Sequence, residues 1–486
     1  MGEQFSWFGI DFGTTNSAAS VFYGPDAASA NQSDFGDDMG RPFPSLVGIN
    51  KQTGKVITGR EARDSRNALA EQYQFFSSIK TVLDKDVTYT VAGKKWKPVD
   101  IAAEIFKGLR DRIRKRSEGL QDCREAVVAV PVAFAPGKKE ALRRAAKKAG
   151  IEIKMFVSEP TAAYCSNYVN LKSCRNVAVF DWGGGTLDIS ILRIEDGKIF
   201  ELETSGMNIA GDDIDRKIAE KIHAEVCMKK GIRISFDELP NEAKDELLMR
   251  SEDAKIKFST GEDLVSIRIL KGPYGICRTG MTYDFFSRLI DPEVTAAVQC
   301  LEDAIQKAGL NATSVDRILC VGGSSNLGPL QEKLKNKYGE GKLYYPSKVM
   351  WDISRGASVI SMSSGGYGLN QDIGLMLCNH EFYPLLSKGQ RLPCHENQMN
   401  FAITDDEKTA RFIITDEKQS FMKEINVPAG GFMAEQFEVS CFIDPDMLLR
   451  LRIRSMRYQK QYLCLWTYDH LKIYYDLGGE DDEADG

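Results

Sequence analysis

The chain has 486 residues, 43% apolar and 27% charged, the make-up of an ordinary soluble protein too long for one hydrophobic core, so two or three domains are expected. A net charge of −6 argues against a nucleic-acid binder held by bulk electrostatics, and no apolar run approaches the ~20 residues needed to cross a bilayer. The eleven cysteines show no CxxC pair and the four histidines no metal-ligand spacing, so reduced thiols in a cytosolic compartment and no zinc site are expected.

No basic segment precedes an apolar stretch at the N-terminus, so no secretory signal is expected. Met1 to Ser6 fits the loose N-myristoylation pattern, but the first strand starts almost at once, and the match is read as coincidence. Residues 5–24 form a hairpin around Ile10-Asp11-Phe12-Gly13-Thr14-Thr15-Asn16-Ser17, and the polar residues 25–45 read as a surface loop. Ile101 to Arg116 is an amphipathic helix and Ala126 to Val130 a buried-type strand. Lys138 to Lys148 is Ala-rich and basic, a solvated helix face rather than a nucleic-acid patch, closed by Gly150. Ile151 to Val157 is the next strand, and Glu159-Pro160 starts a helix at a position where the missing proline N–H costs nothing.

Val177 to Phe180 is an apolar run that enters Asp181-Trp182-Gly183-Gly184-Gly185-Thr186-Leu187-Asp188, after which Ile189 to Leu192 resume a strand. Glycines in such a bend allow positive φ and remove Cβ atoms, so backbone N–H groups can close on an anion. Two carboxylates beside that anion call for a cation, which points to a metal-bound phosphate and a positioned water. A glycine run alone would also suit a sharp hairpin. The second copy decides against that reading: Asp11 lies on Asp181, Phe12 on Trp182 and Gly13 on Gly183, which implies a duplicated fold with phosphates held between its halves.

Further on, Glu195-Asp196-Gly197-Lys198 is a tight turn, and Ala210 to Asp215 opens a helix whose N-terminus can face phosphate. Glu242 to Phe258 is a long charged helix, and Arg317 to Val321 is a strand leading into Gly322-Gly323-Ser324. Residues 362–371 read as a flexible Gly-rich linker. Between 372 and 456 the alternating runs Phe401 to Ile403, Ala410 to Ile414, Phe437 to Phe442 and Leu448 to Ile453 mean an antiparallel β-domain. Residues 457–486 read as a short tail, aromatic and then acidic from Glu480 to Asp485.

These motifs resemble the superfamily of actin, hexokinase and the seventy-kilodalton heat-shock chaperones, the heat shock protein 70 branch best. Ile10 to Ser17 is similar to its first phosphate hairpin, Phe180 to Asp188 to its second, Ser158 to Tyr164 to its interlobe segment and Val321 to Ser325 to its adenosine turn. The resemblance implies an α/β, two-lobed actin-like ATPase domain of duplicated ribonuclease-H-like lobes over residues 1–361, followed by a small antiparallel β-sandwich at 372–456 that binds peptide. It implies ATP or ADP with Mg²⁺, the ion held mainly through waters oriented by Asp11 and Asp181. Gly13, Thr14, Thr15, Asn16, Gly183, Gly184, Gly185 and Thr186 would hold phosphates, with Gly211 at a helix start. Lys80, Asp181, Asp188 and Thr186 would position the attacking water, with Glu159 near the metal's water shell and, with Pro131, relaying nucleotide state outward. Glu252, Lys255, Ser259, Gly322, Gly323, Ser324 and Asn326 would form the adenosine end. Phe43 to Val47 looks like the entry to the upper subdomain, and Gly356-Ala357-Ser358 like the closing helix of the ATPase domain.

Several positions depart from the family pattern. Ile256 and Asn326 replace the two arginines that sandwich adenine, removing cation–π contacts of about 0.5–2 kcal/mol each. Ala210 replaces a glycine, Thr81 a basic residue, and Met350 falls near the place of an acidic one. The linker lacks the family's aliphatic run, so weak coupling between the domains is expected, and about 30 residues after 456 are too few for the family's helical lid. The implied partners are unfolded or extended polypeptides, with a J-domain co-chaperone and a nucleotide exchange factor; no nucleic acid or membrane is expected. A hexokinase-type small-molecule kinase, a filament-forming actin relative and a nucleotide sensor without hydrolysis are the alternative functions, and for the first two the β-domain is surplus.

Overall fold

The computed structural model describes residues 5–477 except 28, 38, 39, 67, 133, 348, 364, 365, 395, 420, 421, 459–462, 469 and 470. Two sheets share one strand arrangement. In the first, Phe5–Phe12 runs parallel to Glu125–Val130, which is parallel to Glu152–Ser158; on its other side Asn16–Gly24 and then Asn31–Phe35 are antiparallel. In the second, Asn176–Trp182 runs parallel to Arg317–Val321, which is parallel to Leu343–Tyr344, while Leu187–Glu195 and Lys198–Met207 follow antiparallel. The central strand of each sheet therefore carries the first aspartate of each sequence hairpin at its C-terminal end.

Side-chain alternation explains why Val177 to Phe180 reads as an unbroken apolar run. Ala178, Phe180 and Trp182 enter a core shared with the helices Gly211–Lys230 and Tyr283–Lys307. Val177 and Val179 enter a second core, with Ala162 and Tyr164 of the helix Glu159–Ser166. Both faces are covered, as strands with parallel neighbours require. The predicted helices lie within Pro98–Arg116, Pro136–Lys148 and Asn241–Ser259. The turn at Asp196-Gly197 has positive φ at both residues, as a tight two-residue hairpin needs. No helix among the described residues is long and apolar enough to cross a membrane.

The helix Asp352–Met362 joins the two sheets through backbone contacts that only glycine permits. A Cβ on Gly356 would stand 1.6 Å from the Ala162 carbonyl oxygen, and one on Gly9 would stand 2.1 Å from the Ser358 nitrogen.

Three expectations are corrected by the structure. Residues 25–45 are not all loop, because Asn31–Phe35 forms a polar edge strand that only Phe35 anchors with a buried apolar side chain. The linker is not free: Tyr367–Leu369 is a buried strand paired with Ile473–Asp476, which in turn pairs with Lys198–Met207 at the edge of the second sheet. Residues 457–486 are therefore not simply a tail. Leu463–Tyr468 is the fourth strand of a β-domain sheet, beyond the expected boundary at 456, and Ile473–Asp476 returns to the second sheet. Ile473 and Tyr475 are buried while Tyr474 and Asp476 are half-buried, a period-2 pattern over only four residues. The acidic run from Glu480 and the first four residues lie outside the described residues.

The β-domain comprises two antiparallel sheets, Phe382–Leu386, Ile373–Met376, Thr409–Asp416 and Met422–Pro428 in one, and Asn397–Ala402, Gln436–Ile443, Leu449–Ser455 and Leu463–Tyr468 in the other. Phe412 of one meets Phe437 of the other edge-on, with ring centres 5.6 Å apart. Their core runs without a break through Leu369 to Val179 and Tyr164. Arg143 adds a polar tie by donating to Asp446 at 2.8 Å.

Overpacking a closed contact typically costs about 1–3 kcal/mol. Gly356→Ala should reach at least the upper end of that range and lower the melting temperature by several degrees, because both clashing partners are backbone. A thermal melt of the variant within about one degree of wild type would show that the helix can shift freely.

Candidate functional site

A cavity of about 1050 Å³ opens where the central strands of the two sheets end. The first hairpin contributes Asp11, Gly13, Thr14, Thr15 and Asn16, and the second Asp181, Gly183, Gly184, Gly185, Thr186 and Asp188. Their tips face each other: a Cβ on Gly185 would lie 3.3 Å from the Thr14 hydroxyl, and one on Gly184 would lie 3.4 Å from that of Thr15. Gly13 has no room for a side chain, since a Cβ would meet the Asn16 carbonyl oxygen at 2.0 Å. Ser45 fixes that bend by donating to the Gly13 carbonyl at 2.8 Å. Ser324 does the same for Gly183, also at 2.8 Å.

Lys80 and Glu159 complete the floor as a buried ion pair at 2.8 Å. Lys80 comes from the short helical turn Ile79–Val82, with the Phe134 ring 5.6 Å away, and Glu159 is the first residue of its helix. Four carboxylates thus face one ammonium. Burial first, then the Glu159 charge, pushes the Asp11 carboxyl up to about 7 against the pull of Lys80. Asp181 is raised well above its ordinary value, by burial and then by Glu159, Asp188 and Asp11. Asp188 is raised to about 6 by burial and Glu159, opposed by the Thr186 hydroxyl and by the Val132 N–H, which donates at 2.8 Å.

One oxygen of Asp181, Oδ2, is buried without a hydrogen-bond partner. A buried, partnerless carboxylate oxygen among like charges fits a divalent cation. Among the described residues no three acidic, histidine or cysteine side chains converge as direct metal ligands.

At the other end of the cavity lie Glu252, Lys255 and Ser259 of the helix Asn241–Ser259, with Gly322, Gly323, Ser324 and Asn326 of the turn after Arg317–Val321. Gly322 has φ of +80°, and a Cβ there would strike Asp181 Oδ1 at 2.5 Å. Lys255 is tied back by Asp215 at 2.6 Å and by the Gly211 carbonyl at 3.1 Å. The Ser259 hydroxyl donates to the Lys255 carbonyl at 3.0 Å. Gly211 itself lies behind the wall, its N–H donating to the Gly183 carbonyl at 3.1 Å. Ile256 and Met350 line this end and are exposed, so apolar side chains stand where the sequence departs from the family pattern.

Sequence reasoning missed Asp212 and Asp215 as lining groups, and Arg41, Arg60 and Arg63 on the rim near Asp37. The two aspartates stand in the helix opening quoted above and could have been found by that adjacency. The arginines carry no motif.

A family model described as Hsp70 protein matches residues 52–360. The chain is also 27% identical, over 480 residues, to the chaperone protein DnaK of Mycoplasmopsis synoviae (strain 53), covering 93% of this chain and 77% of that one. With a match over more than half its length, the chain belongs to the Hsp70 family of ATP-hydrolysing molecular chaperones.

Proposed function

We propose that the cavity is the ATP site of this chaperone, and that the two sheets with their helices are the ribonuclease-H-like lobes of an actin-like ATPase closing on it. The observation that carries this reading is the meeting of two Asp–Gly–Thr hairpins tip to tip above the Lys80–Glu159 pair. Backbone N–H groups and hydroxyls of Gly13, Thr14, Thr15, Asn16, Gly184, Gly185 and Thr186 receive the phosphates. Asp11 and Asp181 orient the water shell of Mg²⁺, which when bound offsets charge on the phosphate oxygens. Lys80, Asp181, Asp188 and Thr186 hold the attacking water, and Glu159 holds Lys80 in place. Catalysis of this kind is positioning and electrostatics, with no nucleophilic side chain.

The sheets after residue 372 are proposed to form a β-sandwich that takes extended or unfolded polypeptide, supported by their shared core and by family membership. A J-domain co-chaperone and a nucleotide exchange factor are the proposed partners, in the cytoplasm. A sugar-type kinase or a filament former is not favoured by the family match.

Phosphate release with and without unfolded polypeptide tests the function as a whole. Lys80→Ala should leave ATP binding nearly intact and cut turnover by about 10² or more, the scale of losing one transition-state charge partner. Unchanged single-turnover hydrolysis in that variant would remove Lys80 from the mechanism.

The base end generates a second expectation. With Ile256 and Asn326 in place of guanidiniums, ATP should bind more weakly than in relatives that keep the arginines, and GTP should follow within about tenfold. Calorimetric titration of both nucleotides decides it, and a preference for ATP above about a hundredfold would mean other groups rebuild the adenine clamp.

A third follows from the raised carboxyls. Their protonated forms are favoured in the folded state, so the stabilisation is full below the ordinary carboxylate range and is lost as pH rises through about 6 for Asp188 and about 7 for Asp11. Nucleotide-free protein should therefore melt at a lower temperature at pH 8 than at pH 5.5, and Mg²⁺ with ATP should flatten the slope. A melting temperature that instead rises across that interval in Asp11→Asn and wild type alike would contradict the assignment.

A further inference from the structure

The strand Ile473–Asp476 does more than extend a sheet, because it pairs with the strand whose Glu201 holds the turn that carries Glu159. Ser158 caps the helix Glu159–Ser166: its hydroxyl accepts the Thr161 N–H at 3.3 Å and donates to Glu201 Oε1 at 2.7 Å. The Thr161 hydroxyl donates to the same oxygen. Glu201 is buried on the strand Lys198–Met207, so one carboxylate grips both hydroxyls of the first helical turn. Lys139, on the helix Pro136–Lys148, balances its charge. That lysine also donates to the Asp446 carbonyl of the β-domain at 3.2 Å.

Tyr475 covers this arrangement from the far side. It is opposite Ile199 in the register, two residues from Glu201, and diagonal neighbours on one sheet face are within reach of an aromatic side chain. It is buried, and burial first and then the Glu201 charge push its hydroxyl pKa up. On the other edge of the same strand lies Tyr367–Leu369, at register Tyr367↔Tyr475, which leads into the β-domain.

We propose that Thr161 and Glu201 are positioning residues for ATP hydrolysis, clamping the first turn of the helix Glu159–Ser166 so that Glu159 stays against Lys80. The clamp has a force to resist. Glu159 shares a buried space with Asp11, Asp181 and Asp188, all negative when charged, and only Lys80 holds it from the front. Released at its backbone, Glu159 would relax away from that charge and take Lys80 with it, and displacements of about 1 Å at a catalytic group can cost up to about a hundredfold in rate. The inference rests on the assignment of Lys80 and Glu159 to the hydrolytic step.

The test uses the full chain, with steady-state and single-turnover phosphate release from ATP. Thr161→Val keeps the shape and removes the hydroxyl that Glu201 holds, and Glu201→Gln keeps the shape and removes the charge. Each should lower kcat about tenfold, with the KM for ATP unchanged to within about twofold, because the loss is in positioning and not in binding. Melting temperatures close to wild type separate this from a folding defect. In a Glu159→Gln background the same two changes should cost less than about twofold, since they act through Glu159. Turnover within about twofold of wild type in both single variants would overturn the proposal, as would effects that multiply fully with Glu159→Gln. Lys80→Ala and Glu159→Gln run alongside: if neither lowers turnover, the site assignment fails and the proposal with it. If both do while Thr161→Val and Glu201→Gln do not, the clamp alone is refuted.

Discussion

Four carboxylates around a single lysine, three of them buried and Asp11 half-buried, form the constraint on which the rest of this molecule depends. Asp11, Asp181, Asp188 and Glu159 lie at the meeting point of two sheets with only Lys80 to offset them. In a low-dielectric interior such like charges repel strongly. They stay together because Asp11 and Asp181 lie at the C-terminal ends of their strands and Asp188 at the start of the next, each strand locked between hydrogen-bonded neighbours. The protein thus keeps a negatively charged floor facing a cradle of backbone N–H groups and hydroxyls. An anion alone suits the cradle but not the floor, and a cation alone the floor but not the cradle. The proposed metal-bound phosphate would bring both together.

Holding the two sheets at the right separation falls to the helix Asp352–Met362, which crosses at Gly9 and Gly356 with backbone against backbone. Interiors packed to that density transmit displacement rather than absorb it. The same holds at the sheet edge, where Lys198–Met207 continues through Ile473–Asp476 to Tyr367–Leu369 and the core passes unbroken into the β-domain. A connection built from glycine and serine would isolate the domains if it were free in solvent. The pairing of Tyr367–Leu369 makes their relative position part of the sheet. Any ligand of the β-domain would act on the ATPase through its differential affinity for this docked arrangement, and the converse is required by linkage.

The base end follows a different logic from the phosphate end. Ile256 and Met350 are exposed at the cavity rim, and Lys255 is held back by Asp215, whose own carboxyl burial raises to about 6. Contacts there are apolar and weakly directional, whereas those at the hairpins are backbone-made and rigid. On the proposed reading, affinity would be concentrated on the phosphates, which every nucleoside triphosphate shares.

Sequence alone determined the elements whose signals are local: the two Asp–Gly–Thr hairpins, their duplication and the alternation of the β-domain strands, whereas Lys80 and Glu159 came from the family resemblance. The local elements were legible because an anion cradle needs particular residue types at fixed spacing, and a strand with a buried face needs period two. Tertiary structure alone decided what depends on distant partners. The strand Ile473–Asp476 is four residues long and its sheet neighbour lies some 270 residues earlier, so nothing in its composition says which edge it joins. Gly-rich residues before Tyr367 read as a free linker because flexibility is a local property, while the pairing that removes it is not. The grip of Glu201 on Ser158 and Thr161, and the cover provided by Tyr475, likewise join three separate stretches of chain whose proximity only the folded sheets create.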